Sequence, residues 1–206
     1  MEALCGSPYP ASAVAVAGKA IHAGVARLIL SKLHTEGMLP AFIRYGSSCS
    51  GADFFAEAVD SLWDGQWAYL HAAEKDPVPR RILASAWGLH EEFIFLDAAS
   101  EEAASAEEVD LYVLSPDCVD FSRRRHARSN EVVASGAVNA ASQLSFVQRG
   151  KAKVVVIENV DEPDGVGALT DLICEISCYI WRSQALDSLL YAGLPVRRSR
   201  CFWVWV

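Results

Sequence analysis

The 206-residue sequence has too few cysteines, six, for a disulfide scaffold, and no secretory signal precedes them; Glu2 and the late first basic residues fit a targeting peptide poorly. Reduced thiols in an intracellular protein are therefore expected, in the nucleus of a eukaryote or the cytoplasm of a bacterial or virus-infected cell. Internal repeats and low-complexity linkers are also missing. Basic charge is in deficit: 18 Lys and Arg stand against 26 Asp and Glu, a net charge of −8. That excludes a surface that is basic throughout but leaves room for a local basic cleft. No clean membrane-spanning run exists. The apolar stretch Ala11–Leu30 carries Lys19, His22 and Arg27, and each charge costs about 2.5–3.5 kcal/mol at a bilayer centre. It reads as a soluble, mostly buried helix, with no membrane partner.

What is present is a globular composition, 52% hydrophobic and 21% charged, with length for one domain spanning residues 1–206. A chain of this size buries roughly two-thirds of its unfolded surface and needs no staple. Short apolar runs at Phe42–Gly46, Trp67–Glu74, Phe93–Leu96, Leu111–Leu114, Val154–Glu158 and Cys201–Val206 read as strands covered on both faces. Ala52–Leu62, Val78–Trp87, Ser129–Val147 and Ala168–Ser177 read as helices between them. The alternation predicts an α/β fold with a mostly parallel sheet and helices on both faces. Ligands of such sheets lie beyond the carboxyl ends of the strands, so the residues that follow each strand carry the functional reading.

The first strand runs into Gly46-Ser47-Ser48-Cys49-Ser50-Gly51. This is either a plain tight turn or a small-residue loop that brings a ligand to a helix N-terminus. Roughly 20 residues on, Glu74 ends the second strand, where a carboxylate can accept from ribose hydroxyls. Asp97 ends the third, within reach of an adenine amino group. The fourth delivers Ser115-Pro116-Asp117-Cys118-Val119-Asp120-Phe121-Ser122. Cys118 stands beside a basic cluster that favours thiolate, against Asp117 and Asp120 that disfavour it. The fifth ends in Glu158-Asn159, a candidate proton donor or a helix cap. Arg123, Arg124, Arg125, His126 and Arg128 cluster after one strand, and Arg197, Arg198 and Arg200 before the last. They are solvated loops or two walls of a phosphate-binding cleft. Glu91–Asp110 holds eight acidic residues and no Lys or Arg, a solvated edge. Cys174 and Cys178 share a helical face as core residues, and no zinc-spaced companion pair suggests a metal. Cys5 and Cys201 read as incidental, and FWVWV as an apolar strand.

In this order the blocks resemble the DNA (cytosine-5) methyltransferase family over nearly the whole chain. SSCSGADFFAEAV is similar to its cofactor loop, HAAEKDPVPRRIL to the ribose-acid block, DLYVLSPDCVDFS to the nucleophile block, VVVIENV to the Glu-Asn-Val block and AGLPVRRSRCFWVWV to the Arg-x-Arg block. AVAGKAIHAGVARLI, within residues 11–35, resembles a helix that closes such enzymes at their C-terminus, which implies a circular permutation ahead of a core at 41–206. The resemblance implies the Rossmann-like class I fold of S-adenosylmethionine-dependent methyltransferases. It places that cofactor on Ser50, Gly51, Ala52, Asp53, Phe54, Glu74, Lys75, Asp97, Ala98, Ser115 and Pro116. Its chemistry is methyl transfer to carbon 5 of a cytosine flipped out of DNA. Cys118 would attack carbon 6, Glu158 would protonate ring nitrogen 3, Arg200 would hold the base carbonyl, and Arg198 the adjoining phosphate. Ser122, Arg123, Arg124, Arg125 and Arg128 would meet the DNA backbone.

Three positions depart from the pattern. Asp53 stands where the second loop glycine is usual, which puts a carboxylate near the cofactor's methionine portion, to pair with its ammonium or to obstruct it. Asp117 stands for the proline before the nucleophile and raises the thiol pKa. Val196 stands for the usual Gln. The family's target-recognition domain has no counterpart, so a second chain supplying it is an expected partner. Two further readings stay open: a cofactor-binding regulatory module without catalysis, and the same chemistry on RNA.

Overall fold

Along the central strands, alternate side chains enter two different apolar layers. Tyr45, Leu111, Val113, Val154, Val156 and Phe202 join the layer on one face; Tyr112, Leu114, Val155, Ile157, Trp203 and Trp205 join the other. Period-two alternation with both faces apolar is what a sheet sandwiched between helices requires. The computed structural model describes residues 23–116, 140–141, 143–161, 163–175, 181–187 and 199–206.

Among the described residues one sheet holds β1 (Ile43–Ser48), β2 (Trp67–Ala73), β3 (Ile94–Phe95), β4 (Val109–Leu114), β5 (Ala152–Val160), β6 (Trp181–Asp187) and β7 (Ser199–Trp205), in the order β3-β2-β1-β4-β5-β7-β6. β1 to β5 run parallel, and β7 runs antiparallel to both β5 and β6. The helices are α1 (Ala23–Thr35), α2 (Phe54–Trp63), α3 (Pro77–Trp87), α4 (Glu101–Ala104), α5 (Ser145–Gln148) and α6 (Pro163–Cys174). None of them is long and apolar enough to cross a membrane.

Local chemistry sets the boundaries. Asp76 caps α3 by accepting from the Val78 amide at 2.9 Å, Pro77 follows it, and Gly88 at φ 67° ends the helix. In β2 the pairing slips between Tyr45↔Tyr69 and Gly46↔His71, so Leu70 is an inserted residue. This bulge turns Tyr69 to the α2 side and His71 to the other. Gly46 is required there: a Cβ would stand 2.8 Å from the His71 ring.

Several boundaries differ from the sequence reading. The expected strand Phe93–Leu96 contributes only Ile94 and Phe95, because Glu91–Phe93 turns as a 3-10 helix and leaves Phe93 and Leu96 exposed. The helix expected at Ala168 starts at Pro163, a residue pre-set for a first helical turn. It ends at Cys174, which is exposed rather than core. β6 was not expected at all. As the outer strand of the sheet it leaves Arg182 to Ala185 in solvent and lacks an apolar pattern. Residues 11–22 of the N-terminal segment, most of the helix expected at 129–147, and Cys178 lie outside the described residues.

Candidate functional site

The sheet changes direction between β1 and β4, and a crevice outside those two carboxyl ends is where this topology places ligands. Beyond β1 the backbone takes three left-handed residues in five: Cys49 (φ 53°), Gly51 (φ 55°) and Asp53 (φ 51°). At the two non-glycines that conformation costs of order 1–2 kcal/mol each, so bonds must hold it. The Cys49 amide donates to the Ala73 carbonyl at 2.8 Å, and its thiol lies 3.1 Å from Gln143 Oε1.

Asp53 is held from below. Its buried carboxylate accepts from Tyr45 Oη at 2.7 Å, from Tyr69 Oη, and from the Ala56 amide at 3.1 Å, capping α2. Burial raises its pKa, and the donated bonds from Tyr69 and Tyr45 act against that rise. Burial, followed by the adjacent Asp53 charge, pushes both phenols well above their usual range. Ser47, also buried, lies 2.5 Å from Tyr69 Oη on one side and 2.5 Å from Ser50 Oγ on the other. The expected approach of the Asp53 side chain to a ligand is thus corrected: the carboxylate points into the protein, drawn there by three donors. Tyr45, Tyr69 and Ser47 were not among the expected site residues, although the period-two spacing of Tyr45 and Ser47 on β1 was a usable signal.

At the β2 tip, Glu74 accepts from the Gly51 amide at 2.8 Å and from the Asp76 amide at 2.9 Å, one on each carboxylate oxygen. Its own amide donates to the Phe95 carbonyl, which ties the β2 and β3 tips together. Asp97 follows β3, exposed, with Oδ1 accepting from the Ala99 amide at 2.9 Å. Lys75 is exposed, Ala98 is buried, and Ala52 and Phe54 are half-buried. At the β4 tip the Ser115 amide donates to the Ser48 carbonyl, and buried Asn159 donates its amide to the Pro116 carbonyl at 3.2 Å. This bond fixes Pro116 beside the end of β5. Asn159 sits in the Glu-Asn-Val block, but its role had not been anticipated.

Glu158 and Arg200 meet. β5 pairs Val160 with Arg200 and Glu158 with Phe202, so the two charged side chains are diagonal neighbours. Arg200 Nε lies 2.8 Å from Glu158 Oε1 in a largely buried ion pair. Cys118, Arg198, Ser122, Arg123, Arg124, Arg125 and Arg128 lie outside the described residues. A separate cleft of about 490 Å³ opens between β2 and the turn before β3, lined by residues that include Leu89, Phe95 and Glu107.

No protein-family model and no curated protein matches the chain. Solved structures match its fold. The S. pombe Dnmt2 methyltransferase superposes with a TM-score of 0.58 at 19% identity, over 79% of this chain and 50% of that one. An E. coli prophage protein assigned as a DNA modification methyltransferase gives 0.57 at 16% identity, over 80% and 46%. Precorrin-6y C5,15-methyltransferase from Geobacter metallireducens gives 0.55 at 12% identity, over 88% and 87%. The chain spans about half the length of the first two. The fold is the class I methyltransferase fold, a mostly parallel seven-stranded sheet flanked by helices.

The strand tips suit an adenosyl ligand chemically. Two carboxylates, Glu74 and Asp97, stand on adjacent tips, and each keeps lone pairs beyond those its backbone donors use. The space over Gly51 is open: a Cβ there would meet nothing within 4 Å. Vicinal ribose hydroxyls and an exocyclic amine are the donors such a set accepts.

Proposed function

We propose that this chain is the catalytic part of a cytosine-5 methyltransferase acting on DNA, with S-adenosylmethionine as methyl donor. The observation that carries the reading is the Glu158–Arg200 pair beside Asn159. Residues from two separate sequence blocks come together near Pro116, which stands two positions before Cys118 in the sequence. A cytosine presents an acceptor nitrogen and a carbonyl oxygen side by side, and a carboxyl group beside a guanidinium is their complement. The cofactor supplies an electrophilic methyl group when bound, its nucleoside end on Glu74 and Asp97.

Cys118 as thiolate adds to carbon 6 of the flipped base, and the electron density moves to carbon 5. Glu158, protonated once the entering base parts it from Arg200, delivers that proton at nitrogen 3, and Arg200 steadies the neighbouring oxygen. After methyl transfer, loss of the carbon-5 proton to a base expels Cys118 from carbon 6 and restores the ring. Arg198 holds the adjoining phosphate, and Ser122 with Arg123, Arg124, Arg125 and Arg128 engages the DNA backbone. A second chain supplies base-edge readout.

The test is covalent trapping on duplex DNA carrying 5-fluorocytosine, with cofactor present and with candidate partner chains added in turn. Wild type forms a denaturant-stable adduct and Cys118→Ser does not. Identical behaviour of the two sinks the assignment. Trapping on structured RNA in place of DNA at fixed salt would move the substrate class.

A further inference from the structure

Below the β1 tip, four hydroxyl groups and the Asp53 carboxylate form one connected set, in which Ser47 also interacts with Asp53 and Tyr45, and Ser50 with Tyr69; the charged acceptor at its base sets which way the protons point. Tyr45 and Tyr69 both donate to the Asp53 carboxylate, which can only accept. A phenol carries one proton. In its 2.5 Å contact with Ser47 the Tyr69 oxygen therefore accepts and Ser47 donates. Ser47 has then spent its own proton, so in its 2.5 Å contact with Ser50 it accepts and Ser50 donates. Ser47, Asp53 and Tyr45 are buried, and Ser50 is the half-buried end of the series at the strand tip. With its proton turned inward, Ser50 Oγ offers the crevice lone pairs alone.

We infer that the Asp53–Tyr69–Ser47 relay makes Ser50 an acceptor, and that Ser50 takes the ammonium of the cofactor's amino-acid end rather than its carboxylate. This rests on the cofactor reading above. With Glu74 and Asp97 on β2 and β3 holding the nucleoside, the amino-acid end falls toward β1 and β4. An ammonium has three donors and no acceptor, so an acceptor-only hydroxyl suits it and repels a carboxylate. A glycine at position 53 would leave the hydroxyls free to rotate and the preference unset. Asp53 is thus a positioning residue that works through three other side chains.

Titration calorimetry with three probes tests this: S-adenosylhomocysteine, its analogue lacking the amino group, and 5′-methylthioadenosine, which lacks the whole amino-acid end. Wild type should bind the des-amino analogue weaker than S-adenosylhomocysteine by about tenfold or more. In Tyr69→Phe the Ser47 proton turns to Ser50, the Ser50 proton turns outward, and the ratio should fall to within about threefold. Affinity for methylthioadenosine should stay unchanged. Ser50→Ala, at a half-buried position that leaves the Asp53 donors intact, should collapse the ratio in the same way. General loosening of the site would weaken all three probes together and leave the ratio alone. A wild-type ratio below about threefold, or one unchanged in both variants, overturns the inference while the cofactor reading stands. Failure of wild type to bind any probe removes both.

Discussion

Glu158 Oε1 and Arg200 Nε lie 2.8 Å apart across the antiparallel β5–β7 ladder, with most of both side chains out of water. Removing one partner strands a buried charge, which costs far more than the pair contributes net. Arg200→Ala should therefore lower stability by about 2–4 kcal/mol. The double variant Glu158→Gln with Arg200→Ala should lose clearly less than the single change. Urea unfolding measures both, and equal losses would show that the charges are not coupled.

Asp110 anchors the opposite end of the sheet. Burial alone would raise its pKa, but bonds from the Arg44 amide and guanidinium and from Lys153 at 2.7 Å overcome this and hold it at about 2. A depressed carboxylate contributes stability above its unfolded pKa, near 4, and loses it as pH falls toward the folded value. Wild type should lose about 2 kcal/mol across that window beyond the loss shown by Asp110→Asn. Parallel stability–pH curves for the two proteins would contradict this.

His71 should stay neutral well below the usual histidine range. Its ring packs 5.0 Å from Phe146, and its Nε2 donates to the Glu107 carbonyl at 3.1 Å. Burial lowers its pKa to about 4, and that hydrogen bond offsets only part of the effect. The folded pKa lies below the unfolded one, so the contribution is complete above about pH 6.5 and is lost as pH falls toward 4. NMR titration of the His71 ring should show no protonation above about pH 5; a midpoint near 6.5 would mean that the ring is hydrated.

Gly46→Ala forces a Cβ to within 2.8 Å of that ring. The expected loss is about 1–3 kcal/mol. His71→Ala in the same chain should recover part of it, which a thermal-unfolding cycle reads directly.

Tyr45→Phe and Tyr112→Phe separate a charged from a neutral acceptor. The Tyr45 hydroxyl serves the buried Asp53 carboxylate, whereas the Tyr112 hydroxyl meets Ser48 Oγ. The first change should cost about 2–3 kcal/mol and the second about 1 kcal/mol. Equal losses would mean that Asp53 is not ionised in the fold.

Where the chain's own composition decides, the sequence was readable. VVVIEN announces β5, and YVL the buried β4, because strands covered on both faces must be continuously apolar. Glu74, Asp97 and Glu158 stood out as carboxylates at the ends of such runs. The direction of a side chain was not readable in this way. Asp53 turns inward because phenols arrive from β1 and β2, and Tyr69 faces it only because Leu70 bulges. β6 escaped notice for the opposite reason: an outer strand that is wet from Arg182 to Ala185 and buries only Leu186 among its described side chains needs no apolar pattern. Cys174 looked like core because spacing fixes which residues share a helix face, without saying what covers that face.

The arrangement under the β1 tip constrains how such a chain can diverge. An aspartate placed at 53 opposite two phenylalanines would be a buried anion stripped of both phenol donors, and two tyrosines opposite a glycine would lose the charged acceptor both hydroxyls serve. Replacing one of positions 45, 53 and 69 alone therefore costs stability that a joint replacement of all three avoids.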